Sequence, residues 1–246
     1  MEFAGKVVLV TGGASGIGGA TTRAFAEAGA KVAFTYLTSD EEARAIEGAH
    51  PGTVGIQADV SQPDRVAQVV ARTEAELGPV DVLFANAGGI LKRAPCKEAT
   101  LALWQETFAI NVFSAFLSAQ AVLPSMEKRG SGSIVLMSSL AAFNGGGPGA
   151  LHYAASKGAV VSFVRGLAKE AGPLGIRVNG VAPGLIGTRF HDLFNTPEGR
   201  ATAVGQTPLR REGTPRDVAD TVLWLASERS AFVTGEVVQI NGGVGF

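Results

Sequence analysis

The stretch TGGASGIG, residues 11–18, directly follows the apolar run 7–10. Glycines in a turn between a strand and a helix let the backbone approach a pyrophosphate, and the free N–H groups at the helix start bind its oxygens. The spacing is G-x-x-x-G-x-G rather than the commoner G-x-G-x-x-G, and the Gly-Lys-Ser/Thr ending of a Walker loop is missing. A turn that only tightens the connection between strand and helix could use the same glycines. The position of this stretch directly after the first strand favours nucleotide binding.

Outside this loop, short β-branched runs alternate with alanine-rich segments of helical period, the pattern of βαβ units. The strand runs are apolar without strict alternation, as in a parallel sheet covered by helices on both faces. No linker, charge block or repeat divides the 246 residues. We therefore predict one α/β domain over 1–246, a doubly wound Rossmann-type fold with a seven-stranded parallel sheet. Strands are expected at 6–11, 31–36, 53–58, 81–85, 133–138, 177–181 and 236–240, and helices at 16–28, 41–46, 63–77, 103–128, 153–171 and 215–227.

The charge balance and cysteine content exclude several classes of protein. With 21 Lys+Arg against 22 Asp+Glu, no basic field attracts nucleic acid or an anionic membrane. One cysteine, Cys96, cannot form an internal disulfide, and no Cys/His spacing fits zinc, so we expect no metal and a cytoplasmic location. The first residues show no signal-peptide pattern. The uncharged stretch 107–126 is long enough to cross a bilayer, but Asn111 and Pro124 interrupt it, which favours a buried helix.

Five motifs in this order resemble the short-chain dehydrogenase/reductase family, over essentially the whole chain. They are TGxxxGxG at 11–18, Asn86-Ala87-Gly88, Asn111, Ser139 with the YAASK stretch 153–157, and Pro183-Gly184. The resemblance implies an oxidoreductase that transfers a hydride between a nicotinamide cofactor and a carbonyl or secondary alcohol. A catalytically inactive nucleotide-binding regulator is the alternative from another class, although such relatives usually lose the tyrosine or the lysine.

Tyr153 and Lys157 are the candidate proton-transfer pair. Four residues apart on a helix, they project from the same face, so an ammonium can lie near a phenol. A nearby cation and the positive end of a helix both favour phenolate. Tyr153 could then give a proton to a carbonyl oxygen during reduction or take one from an alcohol. An interface tyrosine and a solvated lysine would be the plain alternative.

Two further polar positions accompany this pair. Ser138 and Ser139 end the fifth predicted strand, at the carboxyl edge where open parallel sheets bind ligands. The resemblance gives Ser139 the hydrogen bond to the substrate oxygen, with Ser138 as the alternative. Asn111 lies in an apolar helix, where it either satisfies a neighbour's backbone or, as the resemblance implies, bends the helix and holds a water that links Lys157 to solvent.

The resemblance also implies the cofactor contacts. Lys157 would bond the nicotinamide ribose, Asp59 with Val60 would meet the adenine, and Ile186 with Thr188 would hold the carboxamide. Residues 86–88 would leave space for close approach. The full predicted set is Gly12, Ser15, Gly16, Ile17, Gly18, Tyr36, Asp59, Val60, Asn86, Ala87, Gly88, Tyr153, Lys157, Pro183, Gly184, Ile186 and Thr188.

The choice of cofactor depends on the end of the second strand. Tyr36 stands where NAD-preferring relatives place an aspartate, so no carboxylate repels a 2′-phosphate. The arginine that NADP-preferring relatives often supply is also absent, because Ser15 and Leu37 take those positions. We expect NADP rather than NAD, with dual use left open.

The substrate is expected between the segment after Ser139 and a lid at about 184–213. Arg189 and His191 place positive charge there, followed by Arg200, Arg210 and Arg211. Together with the loop NGGGPG at 144–149, they resemble reductases of uronate-derived keto sugars, which indicates an anionic keto sugar acid. Solvated lid cations are the alternative account, and a 3-oxoacyl-thioester (acyl carrier protein) reductase is the alternative function. Apolar helices at 103–128 and 153–171 indicate assembly through paired helices, and the resemblance implies a homotetramer.

Overall fold

The centre of the fold is a seven-stranded parallel sheet in the order β3-β2-β1-β4-β5-β6-β7. The computed structural model describes residues 1–188, 194 and 196–245. Chain order reverses between β1 and β4, the position at which doubly wound sheets open a ligand crevice. The predicted Rossmann-type fold is confirmed. The strands are β1 (Val7–Thr11), β2 (Lys31–Tyr36), β3 (Thr53–Gln57), β4 (Val82–Ala85), β5 (Gly132–Met137), β6 (Ile176–Pro183) and β7 (Val237–Ile240).

Helices cover both faces of this sheet. The described helices are α1 (Gly16–Glu27), α2 (Asp40–Ala49), α3 (Pro63–Glu76), α4 (Leu101–Phe108), α5 (Ser114–Arg129), α6 (Ala141–Asn144), α7 (Leu151–Ala171), α8 (Pro197–Gln206) and α9 (Pro215–Ala226). Successive β1 residues enter opposite core layers. Leu9 belongs to the layer that contains α5 and α7, whereas Val8 and Val10 belong to the layer that contains α1 and α9. Both faces are apolar for this reason, and the strand sequence does not alternate.

One predicted helix differs from the observed structure. The run expected at 103–128 is α4 and α5 joined by a π-helical turn at Ala109–Phe113. The combined segment Leu101–Arg129 is, within the described part of the chain, the one helix long and apolar enough to cross a membrane. Its inner face packs in the core through Ala119 and Met126, whereas its outer face exposes Phe113 and Phe116.

Two helices were missing from the sequence prediction. α6 has only four residues, and α8 buries none of its residues, so neither carries an apolar stripe. A start signal for α8 is present nevertheless. Thr196 caps the helix by accepting a hydrogen bond from the Gly199 N–H, and Pro197 takes the first helical position.

Candidate active site

The glycine loop after β1 is bonded to the neighbouring strand β2: the Gly12 N–H donates to Thr35 Oγ1 at 3.0 Å and the Gly13 N–H donates to Thr35 O at 2.8 Å. A Cβ on Gly18 would lie 2.1 Å from the Gly12 carbonyl oxygen, so any side chain at this position would clash with the backbone of the turn. Gly16 has φ +54°, and its would-be Cβ would lie 3.7 Å from Thr188 Cγ2, in ordinary van der Waals contact. Among the described residues, no side-chain hydrogen bond caps the N-terminus of α1. Free N–H groups at this helix start, opposite Thr188, fit the pyrophosphate of a dinucleotide.

Asn86 braces this loop from the end of β4. Its Nδ2 donates to the carbonyl oxygens of Thr11 at 3.0 Å and Gly12 at 3.1 Å. In return, Thr11 Oγ1 accepts from the N–H groups of Asn86 and Ala87, each at 3.0 Å. These four bonds join the ends of β1 and β4 at the crevice, so Asn86 and Ala87 shape the loop that the cofactor would meet.

Asn111 clamps the loop after β4 to the π-helical turn. Its Nδ2 donates to Gly89 O at 2.8 Å and Thr107 O at 3.0 Å, and its Oδ1 accepts from Gly89 N at 3.0 Å. A Cβ on Gly88 would lie 2.4 Å from Asn111 Oδ1. The space that Gly88 leaves is therefore filled by Asn111. The structure shows Asn111 satisfying backbone groups, whereas a water held beside it stays a prediction.

Ser139 lies beside Tyr153, and Ser138 does not. Ser139 makes a side-chain hydrogen bond with Tyr153 and accepts from Ala141 N at 3.2 Å. Ser138 instead donates to the Lys157 carbonyl oxygen at 2.9 Å. The Lys157 ammonium lies 5.8 Å from the centroid of the Tyr153 ring and donates to Met137 O at 2.9 Å. Tyr153, Lys157 and Ser139 thus meet at the carboxyl end of β5.

The two titratable groups are shifted by burial rather than by each other. Burial raises the pKa of Tyr153, although the hydrogen bond with Ser139 lowers it in part. Burial also lowers the pKa of Lys157 to about 7. The expectation that Lys157 depresses the phenol pKa is wrong for this arrangement, because the lysine is itself desolvated. A phenol that keeps its proton at neutral pH is suited to donating it.

Comparisons with known proteins identify the family of this chain. A family model described as Enoyl-(Acyl carrier protein) reductase matches residues 12–245. The Sinorhizobium fredii protein named Uncharacterized short-chain type dehydrogenase/reductase y4mP is 39% identical, with 99% of both chains covered. The chain belongs to the short-chain dehydrogenase/reductase family. It is an NAD(P)-dependent oxidoreductase that transfers a hydride between the nicotinamide and a carbonyl or secondary alcohol.

Two further comparisons cover nearly the whole chain. The 3-oxoacyl-[acyl-carrier-protein] reductase FabG of Thermotoga maritima is 39% identical, with 99% of both chains covered. The solved structure titled Crystal structure of gox2181 superposes with a TM-score of 0.93 at 32% identity, over 99% of this chain and 96% of that chain. This dehydrogenase/reductase therefore shares both sequence and architecture with its relatives.

The other predicted cofactor residues follow neighbouring strands at the same edge. Tyr36 ends β2, with its ring 6.4 Å from that of Phe34. Asp59 Oδ1 accepts from the Ser61 N–H at 2.9 Å and Oγ at 2.7 Å, so this carboxylate already shapes its own loop. Val60 is buried beside it. At this edge of the sheet, β2 therefore ends in an uncharged side chain, and the loop after β3 is held by its own hydrogen bonds.

The remaining members of the predicted set flank the crevice. Ser15 is exposed and Ile17 half-buried at the start of α1, on the β1 side. Pro183 ends β6, and a Cβ on Gly184 would lie 2.9 Å from Asn241 Cβ. Buried Ile186 and half-buried Thr188 follow on the β6 side.

The segment predicted as a lid, residues 184–213, has hydrogen bonds between its two ends. Gly187 N donates to Gly213 O at 2.8 Å, and Gly213 N donates to Leu185 O at 2.9 Å. Arg200 pairs with Glu212 through Nε–Oε1 at 2.8 Å and Nη2–Oε2 at 2.6 Å. The two chain segments that carry the lid are therefore held together.

The cations that suggested an anionic substrate divide into two groups. Arg200 pairs with Glu212, and Arg211 pairs with Asp217 at 2.7 Å. Because these two arginines are paired with carboxylates, the net positive charge of this segment is lower than the sequence indicated. Arg189 and His191, the predicted substrate contacts, lie outside the described residues.

Two residues near the site carried no sequence signal. His152 is fully buried, its ring lies 6.4 Å from Trp104, and burial lowers its pKa. Arg93, in the loop after β4, donates hydrogen bonds to two separate segments. Neither belongs to a motif: His152 contacts Trp104, far from it in the chain, and Arg93 bonds to backbone carbonyl oxygens of distant residues.

Proposed function

We propose that the protein reduces 3-oxoacyl thioesters with NADPH. The observation that carries the proposal is the hydrogen-bonded Ser139–Tyr153 pair with the Lys157 ammonium 5.8 Å from the phenol ring. The similarity of this chain to the Thermotoga maritima FabG supports the thioester substrate. Residues 184–213 would serve as the substrate lid of a single catalytic domain over 1–246.

A bound reduced nicotinamide would supply the hydride that the carbonyl carbon receives. Tyr153 gives its phenolic proton to the carbonyl oxygen, so one O–H bond breaks as another forms. Ser139 donates a hydrogen bond to the same oxygen as negative charge develops there. The Lys157 ammonium, 5.8 Å from the centroid of the Tyr153 ring, would bind the nicotinamide ribose. Asn111 would fix the π-helical turn next to this group, and a proton from solvent restores Tyr153.

Two exposed apolar side chains near the catalytic residues in the chain also support an acyl substrate. Phe143 and Leu151 are 46% and 45% exposed, and they lie four residues after Ser139 and two before Tyr153 in the chain. An acyl chain covering such side chains would gain hydrophobic free energy, whereas a hydrophilic sugar acid would not. The keto sugar acid stays a prediction that depends on Arg189 and His191.

The proposed cofactor preference depends on Tyr36. With an uncharged side chain at the end of β2, the 2′-phosphate of NADPH meets no carboxylate. The proposed contacts remain the predicted set, including Gly16 at the start of α1 and Thr188 across the crevice. Their placement at the carboxyl edge of the sheet supports this assignment.

The test measures loss of reduced-nicotinamide absorbance with acetoacetyl-CoA, a uronate-derived keto sugar acid and a simple ketone, each with NADPH and NADH. We expect the highest kcat/KM for acetoacetyl-CoA with NADPH. A higher value for the sugar acid would refute the thioester proposal. Cofactor binding without turnover of any ketone would instead favour a nucleotide-binding regulator.

A homotetramer in the cytoplasm is also proposed. Phe116 is 43% exposed on the outer face of α5, with its ring 6.2 Å from Phe163 on α7. A second copy covering this face would remove apolar surface from water. Analytical sedimentation should give a tetramer for the wild type and a smaller species for Phe116→Glu. Phe232→Glu, at an exposed position outside this face, is the control and should remain a tetramer. A monomeric wild type would refute the assembly.

A further inference from the structure

Arg93 connects two segments that surround the proposed substrate entrance. Its Nε donates to the carbonyl oxygen of Phe194 at 3.2 Å, and its Nη1 donates to that of Pro148 at 2.9 Å. Phe194 lies in the lid segment, whereas Pro148 lies in the glycine loop, residues 144–149, just before α7 and Tyr153. One guanidinium therefore joins the lid segment to the glycine loop.

The glycine loop is shaped around Arg93. A Cβ on Gly147 would lie 3.3 Å from Arg93 Nη1, and a Cβ on Gly149 would lie 3.2 Å from Arg93 Cβ. Gly149 also has φ +70°, and its carbonyl oxygen accepts from Ala94 N at 2.9 Å. A side chain at either glycine would press on Arg93 or its neighbour. The glycines here thus accommodate an arginine as well as leaving room for a substrate.

Beyond the buried Ile186, polar contacts hold the described part of the lid segment. Its base is held by the backbone bonds between Gly187 and Gly213 and by the Arg200–Glu212 pair. α8 buries none of its residues, so no apolar core fixes that part of the segment. The contact of Arg93 with Phe194 is a further attachment, between Gly187 and Arg200 in the chain.

We propose that Arg93 is a positioning residue that holds the lid segment against the glycine loop and so sets the width of the substrate entrance. The planar guanidinium reaches two acceptors at fixed angles, whereas a lysine ammonium is a point charge on a flexible stem. Arg93 acts through the lid segment and does not take part in proton transfer. The kinetic part of this inference rests on the proposed function.

The kinetic test compares Arg93→Ala and Arg93→Lys with the wild type, using acetoacetyl-CoA and NADPH. Losing hydrogen bonds from a charged donor should raise KM about tenfold or more in Arg93→Ala. The kcat and the dissociation constant for NADPH should change little, because Tyr153 and the α1 loop are untouched. Arg93→Lys should recover part of the KM loss. Arg72→Ala, on the outer surface of α3, is the matched control.

Limited proteolysis tests the same attachment without turnover. Glu198 is exposed in α8, so a glutamate-specific protease reports how often this part of the lid opens. We expect several-fold faster cleavage there in Arg93→Ala than in the wild type or Arg72→Ala, at matched urea midpoints. Equal cleavage rates together with an unchanged KM would overturn the proposal. A wild type that reduces no ketone would refute the proposed function, and the cleavage rates would then decide the role of Arg93.

Discussion

Replacing Gly88 with alanine should disrupt the Asn111 clamp. Gly88 has φ +148°, and the new Cβ would lie 2.4 Å from Asn111 Oδ1. Holding a side chain in that backbone region costs about 1–3 kcal/mol. Displacing Asn111 would also weaken its bonds with Gly89, at about 0.5–1.5 kcal/mol each. We expect Gly88→Ala to lower the free energy of unfolding by about 2–5 kcal/mol.

A matched variant separates backbone strain from the clash. Gly130 has φ +64° but no atom within 4 Å of its would-be Cβ, so Gly130→Ala adds strain alone, about 1–2 kcal/mol. Urea denaturation at one protein concentration measures both variants against the wild type. If Gly88→Ala costs no more than Gly130→Ala, Asn111 does not hold the loop in the way the distances indicate.

Three further outcomes follow from particular side chains. The pKa of Lys157 is about 7 in the folded chain and near 10.5 when exposed, so between these values the unfolded chain binds the extra proton. The unfolding free energy should therefore rise with pH across that window relative to Lys157→Met, and parallel pH curves would contradict the desolvated lysine. Tyr36→Asp should lower the NADP-to-NAD ratio of kcat/KM about tenfold or more, through repulsion of the 2′-phosphate; an unchanged ratio would mean that the 2′ site is elsewhere. Arg177→Met removes donors to Leu225 O at 2.6 Å and Ser227 O at 3.1 Å, and should cost about 2–4 kcal/mol of unfolding free energy with kcat unchanged; a stable variant would contradict this role.

The sheet was predictable because its signal is local. β1 and β2 each form a continuous apolar run, and observed strand ends lie within a few residues of the predicted ones. The π-helical turn around Asn111 could not be predicted from the sequence, since the apolar periodicity of this segment resembles that of an unbroken helix. It is revealed only by the tertiary contact with Gly89.

The candidate site was predictable in its residue types and less so in its contacts. Choosing Ser139 over Ser138 depended on family resemblance, and only the folded chain shows Ser138 on the Lys157 carbonyl. The predicted direction of the Tyr153 pKa shift was wrong, because the spacing of two residues along a helix indicates that they are close but not that they are desolvated. Arg93 could not be found from sequence, because its acceptors are carbonyl oxygens far along the chain.

The central claim is that Tyr153 donates the proton, and Tyr153→Phe tests it most directly. The substitution removes one hydroxyl and keeps the ring. With acetoacetyl-CoA and NADPH, kcat should fall about a hundredfold or more, the size expected for losing a general acid. The dissociation constant for NADPH, measured by fluorescence of the reduced nicotinamide, should stay near that of the wild type. Near-full turnover in Tyr153→Phe, with NADPH still bound, would contradict the assignment.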